Sequence, residues 1–251
     1  MIELLRSTLR LLWGLYALAA FSLVTLTVTL LVAVVPGLKA RRRLARWGAR
    51  TIFALTGIGL RVRSVENLPA GACVVVANHA SYLDGVILTA ALPANFSFVI
   101  KREMTGVPLA HLLLRRLGSE FVERSDRHRS ARDARRIRGK AEDGHPLAFF
   151  PEGTFVAEPG LGRFRNGAFA TAARAGLPVV PVVIRGARQI LPAEQWLPRR
   201  GAIEVTVTKP IHLADSTTGH SARALLDASR ARILQGLGEP DLLAGPGTGN
   251  P

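Results

Sequence analysis

Residues 11–35 read LLWGLYALAAFSLVTLTVTLLVAVV, 25 positions without a charge. As a helix, such a run crosses a hydrocarbon core of roughly 30 Å. It is too long for the apolar part of a signal peptide, and no small-residue cleavage site follows. Pro36-Gly37 ends it, and the pattern turns basic: Lys39, Arg41, Arg42, Arg43, Arg46 and Arg50. Residues 39–57 predict a second, amphipathic helix in the membrane interface. Its arginines are expected to meet lipid phosphates, with Trp47, Ile52, Phe53 and Leu55 toward the acyl chains. Both a spanning helix and a hairpin that enters one leaflet and returns fit this pattern.

After Gly57 the period changes. Short apolar runs predict strands at 60–65, 73–77, 96–100, 120–123, 147–150, 179–184 and 203–208. Helical spacing predicts helices at 81–91, 107–117, 126–142, 166–175 and 221–234, with Asp126 as an N-cap. Several strands are continuously apolar, as expected when both faces of a sheet are covered. The alternation of strand and helix argues an α/β domain. Pro181, inside an apolar run, predicts an edge or a bulge. Leu109, Leu112, Leu113, Leu114 and Leu117 read first as core packing, with the lining of an acyl groove or a dip into the membrane as alternatives. The organisation expected is a membrane-anchoring segment (1–57), one α/β domain (58–237) and a Gly- and Pro-rich disordered tail (238–251).

Composition adds two constraints. Lys and Arg number 33 against 18 Asp and Glu, a formal net charge of +15. Such a charge speaks to partners rather than fold. An anionic membrane surface explains both the charge and the apolar segment, whereas nucleic acid explains only the charge. Only Arg6 and Arg10 precede the apolar run, so the positive-inside rule places the following domain on the cytosolic face of the cell membrane. The single cysteine, Cys73, excludes a disulfide framework and a cysteine zinc site, and reads as a small buried hydrophobe.

Candidate chemistry centres on Val74-Val75-Val76-Ala77-Asn78-His79-Ala80-Ser81-Tyr82-Leu83-Asp84. An apolar strand ends at Ala77, a polar turn follows, and a helix is expected near Ser81. His79 then lies at the carboxyl end of a strand, where open α/β sheets hold ligands. Asp84, in the first turn of the helix, can reach back to one imidazole nitrogen and leave the other as a base. His111, His128, His145, His212 and His220 lack such a context and read as structural or solvated.

The string NHASYLD resembles the first motif, NHxxxxD, of the glycerol-phosphate and 1-acylglycerol-3-phosphate acyltransferase family. Gly118-Ser119-Glu120-Phe121-Val122-Glu123-Arg124 resembles its second motif, and Phe150-Pro151-Glu152-Gly153-Thr154 its third, FPEGT. Val180-Pro181-Val182-Val183-Ile184 resembles its fourth. Four blocks in order across residues 78–184 make the likeness specific. It implies a single mixed-sheet α/β acyltransferase domain flanked by helices, behind an N-terminal membrane helix or helical hairpin. It implies acyl transfer from acyl-CoA or acyl carrier protein, as co-substrate, to a lysophospholipid acceptor such as 1-acyl-glycerol-3-phosphate. No metal or other cofactor is implied.

The resemblance makes His79 the base and Asp84 its orienting group. It makes Arg124 the acceptor-phosphate ligand, with Glu152 holding the acceptor's glycerol or Arg124, and Gly153 and Thr154 beside it in the binding surface. Lys101 and Arg165, with Arg163, are further candidate phosphate or carrier contacts. The basic helix 126–142 reads equally as a solvated face and as a docking surface for anionic lipid or an acidic carrier protein. Two departures stand out. Phe155 occupies a position where many members carry a basic residue, and Glu123 one where Asp is frequent. They keep other acceptors open, among them a lyso-ornithine lipid. A non-enzymatic basic membrane binder and a hydrolase using the same base are the competing classes.

Overall fold

A computed structural model describes residues 1–123, 126–213 and 222–244. Two helices open the chain, α1 (Ile2–Val34) and α2 (Leu38–Thr56). They form a hairpin around the break at Pro36-Gly37. α1 has 33 residues, roughly 50 Å of helix, and is apolar enough to cross a membrane by length and composition. It is not a lone rod. Val28 and Val32 pack against Ala45 of α2, and Trp13 and Phe21 lie on the core of the following domain. A β-carbon at Gly48 would lie 2.4 Å from Val28 Cγ2, so the two helices meet where only glycine fits. Gly48→Ala is expected to push the helices apart, costing about 1–3 kcal/mol. Thermal denaturation in detergent measures it, and an unchanged midpoint would contradict this packing.

Seven strands form one sheet: β1 (Gly59–Arg63), β2 (Val74–Ala77), β3 (Ser97–Lys101), β4 (Glu120–Val122), β5 (Leu147–Phe149), β6 (Val179–Arg185) and β7 (Ala202–Val207). Their order is β1-β7-β6-β2-β5-β3-β4. β2 to β6 run in one direction, and β1 and β7 in the opposite one, so the sheet is mixed. All four residues of β2 are buried because both faces are covered. Val75 and Ala77 face α2, α3 (Asp84–Ala91) and the short α7 (Ala187–Ile190). Val74 and Val76 face α6 (Gly167–Ala175) and α8 (Ala222–Leu237). Each of the three valines contributes roughly 1.5–3 kcal/mol by leaving water. α4 (Pro108–Arg116) rests on α1, and α5 (Arg127–Glu142) covers β4 and β5, with Asp126 capping it through His128 N and Arg129 N.

Five expectations are corrected. Ile52 and Phe53 are buried rather than turned to lipid: Phe53 and Ala49 lie on the core beneath the sheet, Ala45 packs on α1, and Ile52 falls on the buried side of α2; Trp47 and Leu55 stay exposed. Arg42 and Arg50 do not all turn outward either: Arg42 donates to Leu117 O, Asn95 O and Ser97 Oγ, and Arg50 to Ala90 O. Pro181 sits in β6, an interior strand. Its carbonyl accepts from Thr208 N, one residue beyond the end of β7, so its missing N–H also falls outside that ladder. The tail is not disordered from its start. Residues 238–244 pack on the body, with Leu161 and Asp241 forming a parallel bridge; residues 245–251 lie outside the described ones. Of the five leucines read as core, Leu113 and Leu117 pack on the hairpin, whereas Leu109 and Leu112 are exposed on α4.

Candidate active site

The site lies at the carboxyl end of β2. The last strand residue is followed by Asn78, whose buried amide donates to Ile184 O at 2.9 Å and accepts from Ile184 N at 2.7 Å. This pair ties the turn to β6. Ser81 Oγ donates to Leu191 O and accepts from Leu83 N, so the turn is anchored on both sides before α3 starts at Asp84.

Asp84 is fully buried, and one oxygen does most of the work. Oδ2 accepts from Ala80 N at 2.6 Å and Ser81 N at 2.8 Å, and meets His79 Nδ1 at 2.8 Å. Oδ1 is buried without a hydrogen-bond partner among the described residues. Three donors on one carboxylate oxygen leave the imidazole little freedom. Because Asp84 accepts, Nδ1 carries the hydrogen and Nε2 presents its lone pair. The ring is flanked by Phe150, stacked at 4.5 Å, and by the edge of Phe155 at 4.7 Å, which in turn meets exposed Tyr82 at 4.8 Å.

The FPEGT segment turns tightly at the end of β5. Gly153 N donates to Phe150 O at 3.0 Å, and Gly153 has φ +83°, the left-handed region that glycine enters freely. The turn aims Glu152 back at β2. Its Oε1 accepts from His79 N at 2.7 Å and its Oε2 from Gly162 N at 2.8 Å. Glu152 was expected to hold the acceptor's glycerol or Arg124. Instead both oxygens are engaged by backbone amides, one of them that of His79. Burial raises its pKa, and the two amides, His79 N first, oppose the rise.

His79, Asp84, Glu152 and Gly153 thus converge on one turn. Thr154 is exposed beside them. Arg165 is exposed, and its backbone N–H donates to Pro151 O, which brings that residue back to the FPEGT turn. Lys101 ends β3, two strands from β2, or roughly 10 Å. Arg124 lies outside the described residues. The β4–α5 region beside it is heavily ion-paired. Buried Glu120 meets Arg136 and Lys140, and Asp133 accepts from Arg102 NH2 and Glu123 N, both at 3.0 Å. Arg136 and Lys140 of α5 are thus held by acidic groups, Arg136 while still exposed, and Arg129, Arg132 and Arg135 are exposed as well. Cys73 is buried on β2's approach, its thiol pushed up to about 12 by burial, which removes it as a nucleophile. Asn78 and the aromatic walls of His79 were missed in the sequence. Asn78 stood in the motif, but its partner Ile184 is 106 positions away.

A family model described as Acyltransferase matches residues 59–185, the segment that holds the whole arrangement. The chain belongs to the acyltransferase family. Among curated relatives, a chloroplastic 1-acyl-sn-glycerol-3-phosphate acyltransferase of Brassica napus is 30% identical over 70% of this chain and 50% of its own length. A lyso-ornithine lipid O-acyltransferase of Pseudomonas aeruginosa is 33% identical over 62% of this chain and 58% of its own. The chain spans only about half of the Brassica protein. The crystal structure of the Thermotoga maritima 1-acyl-sn-glycerophosphate acyltransferase shares the fold, with a TM-score of 0.77 over 92% of this chain and 95% of that one, at 22% identity. In this member of the family the matched segment begins with β1 and ends with β6, leaving the helical hairpin, α7, β7 and α8 outside it.

Proposed function

We propose that this acyltransferase moves a fatty acyl group from acyl-CoA or acyl carrier protein to the sn-2 hydroxyl of 1-acyl-glycerol-3-phosphate, giving phosphatidic acid. The observation that carries the reading is the His79 Nδ1–Asp84 Oδ2 contact of 2.8 Å at the sheet's carboxyl edge. His79 Nε2 takes the hydroxyl proton as the oxygen attacks the thioester carbonyl. The tetrahedral intermediate collapses, the C–S bond breaks, and the imidazolium returns the proton to the departing thiolate. Asp84 holds the ring and offsets the charge it acquires. Arg124 and Arg165 are assigned to the acceptor phosphate, because guanidinium groups match its oxygens. Lys101, Gly153 and Thr154 complete the binding surface. The apolar helix α1 and the basic excess favour a chain seated on the cytosolic face of an anionic membrane, with lipid rather than nucleic acid as its charged partner.

One observation favours a second acceptor. Phe155 lies edge-on against His79, where a basic residue would serve a phosphate. A lysolipid without a phosphate monoester, such as a lyso-ornithine lipid, would fit an aromatic wall there. The deciding experiment offers purified, detergent-solubilised protein an acyl-CoA or acyl carrier protein with each acceptor in turn. Phosphatidic acid is the expected product; acylation of lyso-ornithine lipid alone transfers the reading to the second acceptor, and no product from either removes it. Phe155→Arg should raise kcat/KM for the phosphate acceptor over the other by roughly tenfold, the worth of one charge-assisted hydrogen bond. An unchanged ratio would mean that position 155 does not face the headgroup.

A further inference from the structure

Residues 154–165, between the FPEGT turn and α6, are almost without regular structure, yet they are tied down along one side. Arg188, buried on α7, donates to Val156 O at 2.6 Å and pairs with Glu239 at 3.2 Å. Arg230, on α8, donates to Leu161 O at 3.1 Å and Gly162 O at 3.3 Å. It also grips Asp241 with both terminal nitrogens, one of them at 2.8 Å. Between these pairs the C-terminal segment runs against the loop backbone. Glu239 Oε2 accepts from Gly160 N at 2.8 Å, Pro240 O from Leu161 N at 2.9 Å, and Leu161 O from Leu242 N at 3.2 Å. The next amide along the loop, Gly162 N, donates to Glu152, and the other Glu152 oxygen accepts from His79 N.

The contacts form an unbroken series from the tail to the base: residues 239–242, then 160–162, then Glu152, then His79. We propose that residues 239–242 are a strap that sets the position of the catalytic base, with Asp241 and Glu239 as positioning residues acting through Gly162 and Glu152. The inference rests on His79 being the base. Its physical basis is that each step joins backbone to a carboxylate or to backbone. Such links hold a segment to a few tenths of an ångström, the tolerance that proton transfer at His79 requires. Arg230 holds the Asp241 carboxyl down at about 2, so the strap stays charged across the working pH range. A Cβ at Gly162 would come within 3.0 Å of Glu152 Oε2, which offers a second way to disturb the same step without touching the tail.

The test uses the full chain in detergent, as Asp241→Asn, Glu239→Gln, Gly162→Ala and the Asp241→Asn/Gly162→Ala pair. Each single variant is expected to lower kcat by roughly tenfold with KM for the thioester donor within about twofold, a loss of alignment rather than of binding. The pair should lose little more than the worse single variant, because both act on one relay. The acid limb of kcat should move to higher pH. Glu152 faces His79 and Asp84 from the β2–α3 turn and Arg230 from α8. Losing the Gly162 N–H leaves burial to raise it further, an effect a merely structural tail would not produce. Hydrogen exchange of the peptides holding His79 and Gly162 should quicken in Asp241→Asn while β2 and β6 stay protected. Wild-type exchange at these amides, or an unmoved acid limb with additive losses, overturns the strap. If wild-type protein transfers no acyl group, the reading of His79 falls by itself, and the exchange measurement still decides whether the tail positions that turn.

Discussion

His79→Ala is expected to lower kcat by roughly 10²–10⁴-fold, the usual contribution of a positioned general base, with the fold intact. The ring is partly exposed and packs against Phe150 and Phe155, so its loss costs little stability. Asp84→Asn should bring a comparable loss by another route. The side chain stays the same size, but the charge that fixes Nδ1–H is gone, and the ring is free to take the tautomer that puts hydrogen on Nε2. Asp84→Ala would add a second effect, because Ala80 N and Ser81 N would be left without an acceptor in a buried turn. That costs about 1–3 kcal/mol. Initial rates at saturating acyl donor and acceptor, beside a thermal melt, separate these cases. A His79→Ala protein that keeps more than about a tenth of the wild-type kcat would place the chemistry elsewhere.

Glu152→Gln carries the next largest effect, roughly 10²-fold in kcat. An amide can accept from only one of the two backbone N–H groups, His79 N or Gly162 N, and turns a donor toward the other. Acid should do the same to the wild type. Burial raises the Glu152 pKa above its ordinary 4.5, so the carboxyl takes up its proton at a higher pH than an exposed glutamate. Activity should therefore fall on acidification before ordinary carboxylates titrate. The stability term has the opposite sign. Between the ordinary value and the raised one, the folded chain holds more protons than the unfolded chain, so this group favours folding at low pH and disfavours it as pH rises through its own value. Loss of activity on the acid side without loss of fold distinguishes a failed clamp from acid unfolding. A Glu152→Gln enzyme with wild-type kcat would show that the two amide contacts do not align the base.

The apolar runs announced the strands of the sheet to within a residue or two, and strands covered on both faces left a continuous hydrophobic signature. β2 and β6 are the clearest cases. The His79–Asp84 pair was legible for a similar reason: five positions separate the two, and a strand, turn and helix start bring such neighbours together whatever the rest of the chain does. What escaped the sequence depends on partners far along the chain. Nothing local to Glu152 reveals that its oxygens meet His79 N and Gly162 N. Nothing in a Gly- and Pro-rich tail announces that Asp241 finds Arg230. Ile52 and Phe53 were assigned to lipid because an amphipathic helix shows which residues share a face, but not which solvent that face meets. Pro181 misled because the rule against proline in central strands concerns the hydrogen-bond ladder, and the ladder beside it stops one residue short.

The helical hairpin has a consequence for any attempt to handle this chain in water. Phe53 and Ala49 of α2 belong to the same core as Val75 and Ala77 of the catalytic strand, and Arg42 fastens the start of α2 to the far end of the sheet through Asn95, Ser97 and Leu117. The hairpin is part of one of the two layers that cover the sheet, not a tether attached to it. Trimming residues 1–57 to make a soluble fragment would strip α2 from that layer and leave α3 and α7 alone over the strand that leads to His79. A soluble form would have to be sought by recolouring the outer surface of α1 with polar residues while its inner contacts are left alone.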